Sequence, residues 1–334
     1  MIIKFIISLI PVFLFLIMLL YLDSLKLVNK MRLLLTILWG IVSAGLSFYI
    51  NTFLISSSGI SFETYSGFVA PVVEEVLKFS LLLVLIRKGK IGFMIDGAIY
   101  GFSIGAAFAF CENLFYLFYY TQHSGNIMLW VTRGFGTALM HGGTTAIFAV
   151  QCMSSLNRQK KPAQALITGS VAAFFIHGLY NQFLISPVVS TLIILIIVPL
   201  SLIFIFQTNE KSIRNWLEME FDSETNLIRM IKKGRFSETK AGVYLLSLKN
   251  HFPGEVVFDM YCFISLYLEL SMKAKMMMML RENDLEIPSD SEILPKLAEL
   301  KALQKTLGKA GYLAILPVLR VNHKDLWKLS LIGF

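Results

Sequence analysis

The amino-acid sequence predicts an all-α membrane protein: a polytopic bundle of about seven spanning helices followed by a C-terminal cytoplasmic helical domain. Of its 334 residues, 56% are hydrophobic and only 16% are charged, a composition typical of chains that cross a membrane several times. The apolar residues also form runs of about 20 residues, the length that crosses the hydrocarbon core as a helix. These runs lie at 2–21, 33–54, 66–86, 91–120, 127–152, 163–184 and 188–207.

The first apolar run has the composition of a signal peptide. It is long enough for a full span, however, and no cleavage site of small residues follows it. We therefore interpret residues 2–21 as a retained first helix, with a cleaved signal peptide as the alternative.

The basic residues of the loops predict the orientation of the spans. The first, third and fifth loops each carry three basic residues, whereas the second, fourth and sixth loops carry none. The basic residues are Lys26, Lys30, Arg32, Arg87, Lys88, Lys90, Arg158, Lys160 and Lys161. Because cytoplasmic loops collect Lys and Arg, the N-terminus is predicted to lie outside and the C-terminal region in the cytoplasm.

The composition changes near Thr208. Residues 1–207 hold 12 Lys and Arg with 6 Asp and Glu, whereas residues 208–334 hold 18 and 16. We therefore predict a transmembrane domain over 1–207 and a cytoplasmic helical domain over 208–334. Within the second domain, the apolar run 256–280 resembles an eighth span, but charged residues interrupt it. We interpret it as the core helix of this domain, with membrane contact as the alternative.

The charge and the cysteines exclude two other classes of protein. The formal charge of +8 includes an excess of basic residues on an almost uncharged apolar body, which suits loops at a membrane surface and not a nucleic-acid groove. The cysteines, Cys111, Cys152 and Cys262, are far apart in the sequence. Neither a disulfide framework nor a cysteine-based metal site is therefore predicted.

Ionisable residues interrupt four consecutive apolar runs, where an unpaired charge costs about 3 kcal/mol or more. Among them are Glu74, Glu75 and Lys78 in the third run, Glu112 in the fourth, Arg133 and His141 in the fifth, and His177 in the sixth. At about 1.5 Å per helical residue, the carboxylates and imidazoles fall in the middle to outer half of the bilayer. We expect them to converge in one cavity that opens to the outside.

Helical spacing gives these residues companions. Glu112 and Tyr116, His141 and Thr145, and His177 and Asn181 are each four residues apart, so the members of each pair share a helix face. Lys78 can offset a carboxylate one turn before it, and Arg133 is interpreted as another carboxylate's partner. Each residue alone could simply join two helices. Together, three carboxylates and two imidazoles are the side chains of a hydrolytic site, with or without a metal ion.

Four short motifs carry a family resemblance. They are EEVLK at 74–78, FAFCE at 108–112, MHGGTTA at 140–146 and HGLYN at 177–181. In this order, one per consecutive span, they resemble the PrsW family of membrane proteases, which is related to the Abi and CAAX-processing endopeptidases. The similarity covers residues 60–185. It implies a protease of the bacterial cytoplasmic membrane that cuts membrane-anchored proteins, notably anti-sigma factors, on the extracytoplasmic side.

The predicted mechanism has a metal-dependent version. His141, His177 and Glu112 would bind Zn²⁺ as a set of two imidazoles and one carboxylate with an open fourth position. Glu75 would act as general base on the bound water. Glu74 would pair with the lysine of the same motif or serve as a further ligand.

The mechanism also has a metal-free version. Glu75 would activate water directly, while His177 and Asn181 would stabilise the oxyanion. The related CAAX-processing enzymes have His at the position of Glu112, so their residue roles do not transfer unaltered.

Two other functions compete with proteolysis. The same Glu and His residues could form the proton relay of a transporter or channel, although no inverted repeat or paired broken helices are evident. The chain could also be an inactive scaffold that acts through its C-terminal domain.

The predicted partners are a single-span membrane protein substrate and the lipid bilayer, without nucleic acid. The cytoplasmic domain is expected to bind a protein partner or to self-associate.

Overall fold

The computed structural model describes residues 2–22, 28–120, 127–157, 161–182, 184–282, 285–286 and 290–319. In these residues the regular structure is helical and contains no strand, which confirms the prediction of an all-α protein. The contacts divide the chain into two compact units, Met1–Asn209 and Glu210–Phe334. We refer to them as the membrane unit and the C-terminal unit.

The helices that begin in the membrane unit are α1 (Ile2–Leu22), α2 (Lys30–Ser58), α3 (Phe62–Thr64), α4 (Ala70–Arg87), α5 (Met94–Tyr120), α6 (Ile127–Val131), α7 (Ala138–Asn157), α8 (Pro162–Asn181) and α9 (Pro187–Lys232). A π-helical segment, Tyr65–Val69, leads into α4, and a second, Thr132–Thr137, joins α6 to α7. Pro71 and Pro162 stand in the first turns of α4 and α8. Proline has no backbone N–H, and in the first turn of a helix that group has no partner within the helix, so no hydrogen bond is lost.

Five of the described helices are long and apolar enough to cross a membrane. They contain the segments Ile3–Tyr21, Lys30–Ser58, Met94–Tyr119, Ala163–Asn181 and Pro187–Thr208. The predicted runs 66–86 and 127–152 are also helical, but these helices are not among the five. The count of seven spans therefore stays a prediction. Lys26, Arg158, Lys160 and the predicted loop 121–126, on which the orientation partly depends, lie outside the described residues.

Helix α5 forms the centre of the membrane unit, between α2 on one side and α7 on the other. Two glycines on α5 bring its backbone against α7. A Cβ added at Gly101 would lie 2.6 Å from the carbonyl oxygen of Thr145, and one at Gly105 would lie 2.8 Å from the Cα of Gly142. These glycines therefore permit close contact between the two helices.

We expect Gly105→Ala to lower the melting temperature in detergent. Its methyl group would overlap the backbone carbonyl of His141, and a backbone atom cannot move aside as a flexible side chain can. Overpacking costs about 1–3 kcal/mol, which exceeds the roughly 1 kcal/mol that alanine gains over glycine within a helix. Gly45→Ala is the control, because no atom lies within 4 Å of its added Cβ. Equal melting temperatures for the two variants would contradict this packing.

The C-terminal unit has a helical core of its own. Beyond the end of α9 it contains α10 (Lys240–Ser247), α11 (Gly254–Glu282) and α12 (Ile293–Leu319). Helix α11 lies at the centre, where Met260, Ile264 and Leu270 are fully buried against residues of α10 and α12. The apolar run 256–280 thus packs as a core helix of this unit, and it is not among the candidate membrane spans.

Candidate active site

A buried ion pair lies within α4. The Nζ of Lys78 is 2.6 Å from Oε1 of Glu75, and both side chains are fully buried. The same ammonium lies 3.0 Å from Nδ1 of His141 on α7 and 4.9 Å from the centroid of the Phe108 ring on α5. A buried charge needs such partners. Lys78 therefore connects three helices at one point.

One oxygen of Glu75 accepts three hydrogen bonds. Besides Lys78, its Oε1 accepts from Oγ1 of Thr144 at 3.0 Å and from Nδ1 of His177 at 2.7 Å. The other oxygen, Oε2, is buried without a hydrogen-bond partner in the described structure. Because an ionised carboxylate only accepts, Nδ1 of His177 carries the hydrogen, and its Nε2 presents a lone pair.

That lone pair points towards Glu74. The Nε2 of His177 lies 3.6 Å from Oε2 of Glu74, whose side chain is partly exposed, at 16%. A weak hydrogen bond of 3.5 Å joins the amide of Asn51 to the other oxygen of Glu74, and the hydroxyl of Tyr65 in turn holds Asn51 at 2.9 Å. Glu74 thus has fewer and longer hydrogen bonds than Glu75.

The second histidine belongs to a chain of polar contacts on the other side of the site. The Nε2 of His141 is 2.8 Å from Oε2 of Glu112, and the guanidinium of Arg133 donates to Oε1 of Glu112 at 2.9 Å. Arg133 also stacks over the ring of Tyr116, 3.6 Å from its centroid. Arg133 is therefore a carboxylate's partner, as the sequence predicted, and both oxygens of Glu112 are occupied.

A cavity of about 110 Å³ lies between these residues. Glu74, Glu112, His141, His177 and Asn181 all contribute to its wall. They come from α4, α5, α7 and α8, so the predicted convergence of the four motifs on one cavity is confirmed. Glu75 is fully buried behind this wall and is not among the residues that line it.

Three side chains on the wall are placed as ligands of a metal ion would be. One ligand atom each from Glu74, His141 and His177 lies within 4.8 Å of the others. Two imidazoles with one carboxylate form a common catalytic zinc set.

The family comparison agrees with this geometry. A family model described as "PrsW family intramembrane metalloprotease" matches residues 30–206, more than half of the chain. The chain belongs to the PrsW family. Searches of curated proteins and of solved structures found no match. The chain is accordingly an intramembrane peptidase, and the predicted resemblance and enzyme class are confirmed.

The family description implies a metal ion, and the three candidate ligands differ in how well their hydrogen bonds suit metal binding. His177 fits well, because its other nitrogen donates to Glu75, the arrangement that orients metal-binding histidines in many proteins. Glu74 fits too, since it faces the same point. His141 lies close enough to the other two side chains to be a ligand, but both of its ring nitrogens already take part in hydrogen bonds within the protein. An ammonium only donates, so Lys78 makes Nδ1 an acceptor, and neutral His141 then carries its hydrogen on Nε2, towards Glu112.

One sequence-based alternative needs correction. Of the two roles predicted for Glu74, pairing with Lys78 is not seen, because Lys78 pairs with Glu75. Thr145 shares a helix face with His141, as predicted, and donates to the carbonyl oxygen of that residue at 2.9 Å. Its hydroxyl therefore closes a bond within the helix.

Sequence analysis also missed two side chains. Thr144 contributes the hydroxyl that contacts Glu75, and Tyr180 lines the cavity beside Asn181. Both lie inside recognised motifs, TTA and HGLYN. Because adjacent residues on a helix point about 100° apart, the motif alone does not tell which of its polar members faces the site.

Proposed function

We propose that this PrsW-family peptidase hydrolyses a peptide bond of single-span membrane proteins at the cavity formed by Glu74, His141 and His177. The observation that carries the proposal is their convergence, from three helices of the membrane unit, to within 4.8 Å of one another. Anti-sigma factors are the substrate class that the motif resemblance suggests. The same resemblance suggests the extracytoplasmic side of the bacterial cytoplasmic membrane as the place of cleavage. The C-terminal unit would bind a protein partner or self-associate.

The proposed topology has seven spans, with the N-terminus outside and the C-terminal unit in the cytoplasm. The alternation of basic and non-basic loops supports it. A phosphatase reporter, which is active only outside the cytoplasm, should therefore stay inactive when fused after Thr208. Strong phosphatase activity of that fusion would contradict the topology.

Glu74 is the residue that we propose to polarise the attacking water. It faces the cavity. Its polar contacts with the described residues are long, at 3.5 Å to Asn51 and 3.6 Å to His177, so its oxygens remain able to accept a proton. Glu112 is less suited, because Arg133 and His141 already donate to both of its oxygens. A general base must reach the water whose proton it accepts, and Glu75 lies behind the cavity wall.

Glu75 would act as a positioning residue. Its contact with Nδ1 of His177, at 2.7 Å, fixes the imidazole with Nε2 towards the cavity. Lys78 balances its charge in the buried interior. This assignment departs from the sequence-based mechanism, in which Glu75 was the base.

Asn181 is proposed to stabilise the oxyanion that forms on the substrate carbonyl. Its side-chain amide donates one hydrogen to the carbonyl oxygen of Ser66 at 3.2 Å. A primary amide has two N–H donors, so the second can serve the cavity that Asn181 lines. An oriented N–H donor of this kind contributes strongly to acyl-transfer catalysis.

In the metal-dependent version, Glu74 would be a ligand and not the base. The ion would be held by Glu74, His177 and His141, and Nε2 of His141 would have to give up its hydrogen bond to Glu112. This set replaces Glu112 of the sequence-based ligand set with Glu74. When bound, the ion would lower the pKa of its water towards about 7. Zn²⁺ is the ion that this set of nitrogen and oxygen ligands favours.

We expect His177→Ala to lose bound metal and cleavage activity together, because it removes the best-oriented ligand. Elemental analysis of the purified protein measures the bound metal, and cleavage of the single-span reporters described below measures the activity. Asn181→Ala, one helical turn further along the same face, should keep the metal while cleaving more slowly. Unchanged metal content in His177→Ala would exclude His177 as a ligand and favour the metal-free mechanism.

The test of the function uses the full-length protein in lipid vesicles. The substrates are single-span reporters, each with an apolar span of about 20 residues and a different extracytoplasmic segment. The unmodified protein should cleave at least one reporter near the membrane, and mass spectrometry identifies the cleaved bond. Equal product from Glu74→Gln, or no cleavage of any reporter, would contradict the proposal.

A further inference from the structure

An apolar groove of about 300 Å³ lies beside the candidate active-site cavity. One wall is formed by Val131 of α6 and Phe135 of the following π-helical segment. The other is formed by Val188, Leu192 and Leu195 in the first turns of α9. We refer to it as the lateral groove.

The lateral groove offers no free polar group to a ligand. Its two polar residues, Thr132 and Thr191, use their hydroxyl hydrogens within their own helices. Thr132 donates to the carbonyl oxygen of Leu129 at 2.9 Å, and Thr191 donates to that of Pro187 at 2.8 Å. The groove therefore suits an apolar occupant and gives nothing to a charged or hydrogen-bonding one.

The lateral groove and the cavity share a wall. Thr132 lines both of them. Leu129 and Pro187 line the cavity, and Pro187 is followed directly by Val188 of the groove. Thr132 and Pro187 therefore stand where the groove adjoins the cavity that Glu74 lines.

The two volumes differ in what they can admit. An α-helix with its side chains is about 10–12 Å across, so the cavity of about 110 Å³ holds several water molecules or an extended segment, but no helix. The groove is more open than the cavity and has exposed apolar side chains, such as Leu192 at 52%. A helix can therefore lie in the groove while only an unwound end enters the cavity.

We propose that the lateral groove binds the apolar transmembrane segment of the single-span substrate and directs its adjoining extended segment towards Glu74. This proposal rests on the proposed function. It predicts that the groove affects cleavage of a membrane-anchored substrate much more than cleavage of a soluble peptide, which needs only the cavity.

The test is to fill the groove with Leu192→Trp. The substrates are a cleaved reporter in vesicles and a water-soluble peptide that contains the same bond. We expect kcat/KM for the reporter to fall at least about tenfold more than kcat/KM for the peptide, as expected for loss of an important binding contact. Leu200→Trp is the matched control: the same residue type, on the same helix, 60% exposed and outside the groove. It should leave both rates unchanged.

A second measurement places the occupant directly. A photo-crosslinking amino acid at Leu192 should capture the transmembrane segment of the reporter, whereas the same probe at Leu200 should capture lipid alone. Capture of lipid alone at both positions, or equal rate effects of Leu192→Trp on reporter and peptide, would overturn the groove proposal while leaving the proposed function intact. If the unmodified protein cleaves neither substrate, the proposed function fails and the groove proposal fails with it.

Discussion

Glu74→Gln should abolish cleavage of the reporter while leaving the protein folded. The substitution keeps the size of the side chain but removes the carboxylate that faces the cavity. Loss of a general base lowers a rate by about 10²–10⁴-fold. Little stability should be lost, because the hydrogen bond from Asn51 to Glu74 is long, at 3.5 Å. The measurements are the cleavage rate in vesicles and the melting temperature in detergent.

Glu63→Gln is the matched control for this variant. Glu63 is an exposed glutamate of the same unit, and its substitution should change neither quantity. The metal content of Glu74→Gln separates the two roles of this carboxylate: retained metal indicates a base, and lost metal indicates a ligand. Cleavage by Glu74→Gln at a near-normal rate would show that the cavity carboxylate is not required.

Glu75→Gln should instead destabilise the protein. It leaves the ammonium of Lys78 fully buried without its counter-charge, and removal of one member of a buried ion pair costs about 3–5 kcal/mol. The double variant Glu75→Gln, Lys78→Met should recover much of this loss, because no unpaired charge remains. Activity should stay low in the double variant, since His177 has lost the carboxylate that orients it.

A thermal unfolding series of the unmodified protein, the two single variants and the double variant measures the coupling between Glu75 and Lys78. Glu292→Gln is the control, because its ion pair with Lys296 is largely exposed and such pairs contribute about 1 kcal/mol or less. If the two single effects simply add in the double variant, the ion pair is not the source of the stability.

The sequence predicted the helices and several residues that line the cavity, because both leave a pattern within short stretches of the chain. The apolar runs matched described helices since a span must satisfy its own backbone in lipid. Glu112, His141 and His177 were recognisable because ionisable residues are rare inside such runs and need partners. Their regular depth at 1.5 Å per residue was enough to predict one shared cavity.

For the C-terminal unit, the sequence predicted a core helix but identified no binding partner. The run 256–280, which was interpreted as a core helix because charged residues interrupt it, does pack in the core of this unit. Nothing in its pattern predicts a partner, because an amphipathic helix reports only that one face is covered.

Only the tertiary structure decided which of the two adjacent glutamates faces the cavity. Glu74 and Glu75 lie four and three residues before Lys78, and both spacings permit an ion pair on a helix. The choice depends on the rotation of α4 about its axis. That rotation is set by side chains on other helices, Thr144 on α7 and His177 on α8, which hold Glu75 inside and leave Glu74 at the cavity. The sequence by itself determined which helices bring ionisable residues together, whereas packing between the helices determined which of these residues face the cavity, because a helix's orientation is a property of its contacts with its neighbours.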